Sequence, residues 1–107
     1  GYDFVIIDQE HAALDRSITD LMIFAARASN IAPIVRIPEF TESFVLGALD
    51  SGAMGIMIPH VTSVEKAQTI ARSARYKGGN RGFAGLTRAS SWGSVGTTGH
   101  MAAQDAQ

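Results

Sequence analysis

The chain has 107 residues, a formal net charge of −1, 46% hydrophobic residues and no cysteine. This near-neutral charge argues against nucleic acid or an acidic membrane surface as the main partner, because either partner favours a clustered basic excess. The absence of cysteine excludes disulfides and thiolate metal sites, and no apolar run approaches the roughly 20 residues that span a bilayer. We therefore expect a cytoplasmic protein with one small hydrophobic core and no membrane partner.

The two ends of the chain suggest how it relates to its parent protein. Gly1 stands directly before an apolar run, without an initiator methionine, and Gln107 ends a polar stretch. We therefore expect these residues to be a fragment of a longer protein.

The apolar run at residues 4–8 predicts the first strand. It is rich in β-branched residues and lacks polar alternation, which is typical of a strand covered on both faces in a parallel sheet. Asp8, Glu10 and His11 then stand at its carboxyl end. In α/β folds this edge is where ligands bind and chemistry takes place.

An amphipathic helix is predicted from Ser17 to about Ser29, with Ser17 as its N-cap and Asn30 as its C-cap. Its apolar positions recur at helical spacing and are Ile18, Leu21, Met22 and Ala25.

The second unit begins with a strand near residues 33–37, which is bracketed by prolines and carries Arg36 near its carboxyl end. A helix is predicted from about Thr41 to residues 51–52. The positions expected to face the core are Phe44, Val45, Ala48 and Leu49.

The third unit begins with a strand near residues 55–58, which Pro59 ends. A capping-box pattern at residues 62–65 opens a helix that is expected to run to about Tyr76. The order βαβαβα with short connections predicts an α/β fold with parallel neighbouring strands and right-handed crossovers.

The rest of the chain, residues 78–107, has a different character. Residues 78–99 are rich in glycine and show neither helical nor strand periodicity, so they predict a functional loop or a segment whose packing partner is missing. Residues 100–107 can form one or two helical turns.

Two residue types at the predicted strand ends point to acid–base chemistry. His11 stands beside carboxylates, which can orient an imidazole and make it more basic, as a general base requires. Arg36, on the next strand, can stabilise negative charge that develops on an oxygen. The alternative for Arg36 is a structural ion pair. Asp8, Glu10 and His11 could ligate a metal by type, but alternate strand residues face opposite ways, which disfavours a complete shell from these three.

Asp50 and His60 also lie near this edge. Asp50 precedes Ser51 and Gly52 at a helix end, where it can simply be solvated. His60 follows Pro59, and we interpret it as a hydrogen-bonded structural residue.

Several segments together resemble the HpcH/HpaI family of class II pyruvate aldolases. They cover nearly the whole chain in the family's order and spacing. The segments are residues 2–11 (YDFVIIDQEH), 33–38 (PIVRIP), 49–53 (LDSGA) with 55–56, 59–61 (PHV), 81–85 (RGFAG), and 88–90 (RAS) before 92–93.

This resemblance implies a (β/α)₈ TIM barrel, of which residues 1–107 form part. Residues 1–77 would supply three βα units and residues 78–107 a glycine-rich loop and tail. The implied reaction is the cleavage of 2-keto-4-hydroxy acids to pyruvate and an aldehyde through a metal-bound enolate. The implied partners are these small molecules and, for the complete protein, further copies of itself in a homo-oligomer.

The resemblance also assigns roles to four residues. His11 matches the base that moves the proton of the aldol hydroxyl through a bound water, and Asp8 and Asp50 match acids that orient and tune the imidazole. Arg36 matches the cation that stabilises the enolate oxygen of pyruvate. The metal would be Mg²⁺, Mn²⁺ or Co²⁺, held by a Glu and an Asp that lie beyond Gln107. We therefore expect the isolated fragment to be inactive.

Two other functions stay open. One is a citrate-lyase-type enzyme that acts on acyl-CoA thioesters with the same barrel. The other is a non-catalytic small α/β binding module in which Asp8 anchors a phosphate or a metal. That module would need two further strands, and residues 78–99 do not supply them.

Overall fold

The computed structural model describes residues 1–107. Three βα units follow one another along the chain, and a fourth helix lies near its end. The elements are β1 (Phe4–Asp8), α1 (Arg16–Ala28), β2 (Ala32–Arg36), α2 (Glu42–Asp50), β3 (Gly55–Met57), α3 (Val64–Ser73), a 3₁₀ turn (Ser91–Gly93) and α4 (Thr97–Asp105). None of these helices is long and apolar enough to cross a membrane.

The three strands form one parallel sheet in the order β1-β2-β3. The predicted α/β class and the predicted strand order are therefore confirmed. Asp8 pairs in register with Arg36, and Arg36 pairs with Met57. This register brings the carboxyl ends of neighbouring strands to one edge.

The hydrophobic core lies between this sheet and the helices on one of its faces. Its members from β1, β2 and the residue after β2 are Ile7, Val35 and Ile37, and its members from α1 and α2 include Ile23, Val45 and Leu49. Because strand side chains alternate between faces, the strand residues between these core positions point to the opposite face of the sheet.

The expectation that β1 is covered on both faces is wrong for this chain. Only Ile7 is buried within β1, and Phe4, Val5 and Ile6 are exposed. The reason is topological: β1 is an edge strand, and the helices cover only one face of the sheet. Phe44 of α2 is also more exposed than its helical position predicts.

The helix starts follow local capping chemistry, with two corrections to the predicted caps. The N-cap of α1 is Asp15 rather than Ser17, because the Asp15 carboxylate accepts the amide of Ile18 at 2.9 Å. The N-cap of α3 is Ser63 rather than Thr62, the first residue of the predicted capping box, because Ser63 accepts the amide of Lys66 at 3.1 Å. A side-chain acceptor at these positions satisfies an amide that the helix itself leaves free.

The ends of α1 and α2 show why the chain turns where it does. Ser29 is the C-cap of α1, and Asn30, predicted as the cap, follows it with a φ of 56°. The predicted start of α2 is confirmed, since Thr41 is its N-cap. After α2, Gly52 has a φ of 98°, a left-handed conformation that glycine adopts without strain.

Helix α3 ends at Ser73 and not near Tyr76, because the following backbone has a different partner. The amides of Tyr76 and Lys77 donate to the Asp105 carboxylate at 2.9 and 2.8 Å. These two bonds hold the pKa of Asp105 below its usual range. They also fasten the end of α4 to the turn after α3.

The glycine-rich segment contains no strand, as predicted, but it is tied to the rest of the molecule. Arg88 donates to the Asp20 carboxylate at 2.6 and 3.0 Å and to the carbonyl of Ser51 at 2.8 Å. The Arg88 hydrogen bond lowers the pKa of Asp20 from its usual value. The segment's final part begins α4 at Thr97, so this helix is longer than the predicted tail turns.

Candidate active site

The site at the carboxyl edge of the sheet is organised by Asp8 and Arg36. Strand pairing places the two residues side by side, and two nitrogens of the guanidinium bind the carboxylate. Arg36 Nε donates to Asp8 Oδ1 at 2.9 Å, and Arg36 Nη2 donates to Oδ2. This side-chain hydrogen bonding lowers the pKa of Asp8 far below its usual range, and it raises the pKa of Arg36.

Asp8 also shapes the loop that follows β1. Its Oδ1 accepts the backbone amide of Glu10 at 2.9 Å and that of His11 at 3.1 Å. An aspartate that accepts amides two and three residues ahead holds the chain in a tight turn. The side chain of Asp8 therefore fixes both Arg36 and the backbone that carries His11.

Glu10 is the carboxylate that lies nearest to the His11 imidazole. Its Oε2 is 3.6 Å from His11 Nε2 and 3.6 Å from Arg36 Nε. Its Oε1 is 3.3 Å from Nε2 of His60, which follows β3. The side chain of Glu10 is only 14% exposed, so these three partners surround a carboxylate with little access to water.

The two imidazoles are accessible, unlike the carboxylate between them. The His11 side chain is 69% exposed and the His60 side chain is 80% exposed. Both can therefore meet a small molecule at this edge. An accessible imidazole beside an oriented carboxylate is the arrangement that general acid–base chemistry uses.

The structure brings three of the four predicted site residues together. Asp8, Arg36 and His11 lie within one network, whereas Asp50 lies at the end of α2 and faces a different cation. Asp50 Oδ1 is 3.4 Å from Arg81 Nη2. No hydrogen bond or ion pair joins Asp50 to His11 in this chain.

From the sequence, Glu10 is one of several carboxylates that can orient His11 and is not singled out, and His60 is interpreted as structural. One signal for His60 was present in the sequence, because it directly follows the strand-ending Pro59 at the edge where His11 was placed. The signal for Glu10 was its spacing of two residues from Asp8. Neither signal could show which carboxylate faces the imidazole, since that depends on side-chain directions across strands.

The polar residues at this edge do not form a metal site by themselves. No group of three histidine and acidic side chains has the arrangement that holds a metal ion. Asp8 is engaged by Arg36 and two amides, and the two oxygens of Glu10 face Arg36 and the imidazoles. A hard divalent cation prefers several free oxygen ligands, which these carboxylates do not offer.

The fold and the site together define an α/β protein of consecutive parallel βα units, with an acid–base cluster at its strand ends. A model of the HpcH/HpaI aldolase/citrate lyase family matches residues 1–104. The chain belongs to this family.

Similar proteins carry aldolase names. The chain is 40% identical over 110 aligned residues to a hydroxypyruvate/pyruvate aldolase of Roseobacter denitrificans, covering 100% of this chain and 42% of that protein. It is 35% identical over 96 residues to a 5-keto-4-deoxy-D-glucarate aldolase of Escherichia coli, covering 89% of this chain and 38% of that protein. The chain thus spans about two-fifths of the length of these relatives.

A solved structure shows the same fold. The crystal structure of an HpcH/HpaI aldolase/citrate lyase family protein from Burkholderia cenocepacia J2315 superposes with a TM-score of 0.90 at 32% identity. The match covers 100% of this chain and 44% of that protein. The three βα units are therefore those of a longer family fold.

Proposed function

We propose that the protein to which this chain belongs is a metal-dependent pyruvate aldolase that cleaves 2-keto-4-hydroxy acids to pyruvate and an aldehyde. The observation that carries this proposal is the cluster at the carboxyl edge of β1 and β2. It combines an accessible imidazole, His11, with a guanidinium, Arg36, that is held in place by Asp8. The names of the relatives support the same reaction class.

In this proposal His11 accepts the proton of the substrate's aldol hydroxyl as the carbon–carbon bond breaks. Its backbone amide is fixed by Asp8 and its ring faces Glu10, so the imidazole is presented from a defined loop. A positioned base is worth a factor of roughly 10²–10⁴ in rate.

Arg36 would stabilise the negative charge that develops on the enolate oxygen. A guanidinium has five N–H donors, and Asp8 engages only one edge of it. The remaining donors are available to a substrate oxygen. Because Asp8 holds the fork in one orientation, little reorganisation is needed when the charge develops.

The observed contacts support the proposed role of Asp8, whereas the role of Asp50 depends on the family resemblance. Asp8 can act on the imidazole through the His11 amide and on the charge balance through Arg36. The role that the family resemblance gives Asp50, orienting and tuning the imidazole, stays a prediction. In this chain its carboxylate is directed at Arg81.

The divalent metal enters the proposal through the family resemblance. The resemblance implies that its ligands are a Glu and an Asp beyond Gln107. The carboxylates at this edge are engaged with Arg36, amides and imidazoles.

We further propose pyruvate and an aldehyde, such as a sugar-acid derivative, as the small-molecule partners, and a homo-oligomeric complete enzyme. The sugar-acid class is supported by the name of the Escherichia coli relative. The alternative is a citrate-lyase-type enzyme acting on acyl-CoA thioesters, and the family description names citrate lyase beside aldolase.

The deciding experiment is a retro-aldol assay of the complete enzyme. A 2-keto-4-hydroxy acid is incubated with Mg²⁺, Mn²⁺ or Co²⁺, and released pyruvate is trapped by lactate dehydrogenase. Pyruvate release that requires added metal and is lost in His11→Ala supports the aldolase. Turnover of an acyl-CoA thioester, without pyruvate release, would assign the alternative.

A further inference from the structure

One carboxylate, Glu10, lies between two imidazoles that come from different strand ends. His11 follows β1, and His60 follows β3 on the far side of β2. Each imidazole approaches a different oxygen of Glu10, at 3.6 and 3.3 Å from Nε2. The proposed reaction accounts for His11 but gives no role to His60.

The backbone of His60 is held in an unusual conformation. Its φ is 56°, in the left-handed region that residues other than glycine rarely adopt. Lys66 Nζ of α3 donates to the His60 carbonyl at 2.7 Å. Backbone strain of this kind persists only where the surrounding structure enforces it, and it is concentrated at functional sites.

We propose that His60 is a positioning residue of the acid–base site, which acts by holding the Glu10 carboxylate against His11. This proposal rests on the proposed function for its activity measurements. Nε2 of His60 lies 3.3 Å from Glu10 Oε1, an ion-pair distance, and leaves Oε2 to face Nε2 of His11. His60 thereby limits the rotation of a carboxylate that would otherwise be free to turn toward Arg36 alone.

Charged groups surround the His60 ring and its carboxylate neighbour. Glu10 faces the ring, Arg36 and His11 lie across Glu10, and Lys66 binds the His60 carbonyl. Because the Glu10 carboxylate has these alternative partners, removing the His60 ring changes which of them it faces.

The test is a double-mutant cycle in the complete enzyme with Glu10→Gln and His60→Asn. Asparagine is chosen because it tolerates the left-handed backbone and removes only the imidazole. We expect Glu10→Gln to lower kcat roughly 10²-fold. We expect His60→Asn to lower kcat roughly tenfold with KM unchanged, a size typical of contacting residues.

The two effects should not add. If His60 acts through Glu10, His60→Asn has no further effect in the Glu10→Gln background. Multiplicative losses in the double variant or an unchanged kcat in His60→Asn would each overturn the proposal. Glu39→Gln is the matched control, because Glu39 is an exposed carboxylate outside the network.

A second measurement does not depend on the reaction. Diethyl pyrocarbonate modification of His11, located by mass spectrometry, should become faster in both Glu10→Gln and His60→Asn and stay unchanged in Glu39→Gln. In the first variant Nε2 loses its carboxylate neighbour, and in the second that carboxylate is free to turn toward Arg36. An unchanged His11 reactivity in His60→Asn would overturn the proposal. Faster modification in an enzyme without aldolase activity would reject the proposed function alone.

Discussion

The molecule contains two aspartate–arginine pairs whose surroundings differ. Asp8 and Arg36 lie at the carboxyl edge of the sheet, with side chains 27% and 29% exposed. Asp50 and Arg81 lie between α2 and the segment after α3, where the Arg81 side chain is only 1% exposed. Both pairs join the same two residue types across about 30 residues of chain, with separations of 28 and 31.

The partners of each arginine show what the difference in burial means. Arg36 keeps donors free at an accessible edge beside His11. Arg81 donates from its two terminal nitrogens to Gln104 and Asp50, while its buried Nε has no hydrogen-bond partner. Its guanidinium lies 4.5 Å from the centre of the Tyr76 ring. Burial also raises the pKa of Tyr76. The edge pair therefore leaves donors that a ligand can reach, whereas the interior pair fastens the glycine-rich segment to the end of α2.

The largest effect that this comparison predicts is on turnover at the edge. In the complete enzyme, His11→Ala should lower kcat by a factor of roughly 10²–10⁴, since a positioned base is lost. The thermal unfolding midpoint and the metal affinity should stay near wild type, because the imidazole is exposed and is not proposed as a ligand. A large loss of metal binding would instead make His11 a ligand.

The second prediction concerns the interior pair. Arg81→Met should lower the free energy of unfolding by roughly 3 kcal/mol, because it leaves Asp50 as an unpaired, largely buried charge. Urea unfolding of the complete enzyme measures this. The double variant Arg81→Met/Asp50→Asn removes both charges and should recover part of the loss.

Asp50→Asn alone then separates two roles for Asp50. If the carboxylate mainly pairs with Arg81, the variant is destabilised and its kcat, measured well below the unfolding temperature, changes little. A large fall in kcat at unchanged stability would contradict that interpretation. It would support the imidazole-tuning role that the family resemblance implies.

The third prediction tests whether Arg36 meets charge in the transition state. Arg36→Lys should lower kcat by roughly tenfold and weaken pyruvate binding less, because a lysine point charge cannot reproduce the guanidinium fork. Steady-state kinetics and pyruvate titration distinguish the two effects. A higher KM with an unchanged kcat would mean that Arg36 binds the substrate and the transition state equally well.

The smallest expected effect is the pH dependence of the edge pair. The pKa of Asp8 is lower in the folded protein than its unfolded value near 3.8, chiefly because Arg36 binds the carboxylate. The pair therefore stabilises the fold fully above that unfolded value, and this contribution is lost as the pH falls toward the folded-state pKa. The effect is small because the pair is partly exposed and screened by solvent.

Thermal unfolding of the wild type and of Asp8→Asn from about pH 6 to about pH 2 checks this pH dependence. The difference between the two proteins should be constant above about pH 4 and should shrink below it. A difference that grows on acidification would mean that the carboxylate stabilises the fold in its protonated form.

The sequence alone determined the order of the elements and the sheet edge at which the candidate site lies. Apolar runs of strand length and helical periodicity are local patterns, so β1, β2, β3 and the helices between them were predicted close to their observed bounds. The same patterns placed His11 and Arg36 at one edge, because parallel strands end on the same side.

The sequence could not decide the exact start of a helix where two nearby residues both suit the N-cap. Asp15 and Ser17 both suit an N-cap, and only the folded chain shows that Asp15 accepts the amide of Ile18. The same limit applies to the end of α3. Its last amides were assigned to the helix, but Asp105, which lies 29 residues beyond Tyr76, accepts one of them.

Tertiary structure decided which charge faces which partner. Asp8, Glu10 and Asp50 are carboxylates of similar chemistry, but the structure directs them to Arg36, to the two imidazoles and to Arg81 respectively. Strand register, the turn after β1 and the path of the glycine-rich segment set these pairings. Apart from Glu10 and His11, which are neighbours in the sequence, these pairs join residues far apart in the chain, and the packing of distant segments brings them together.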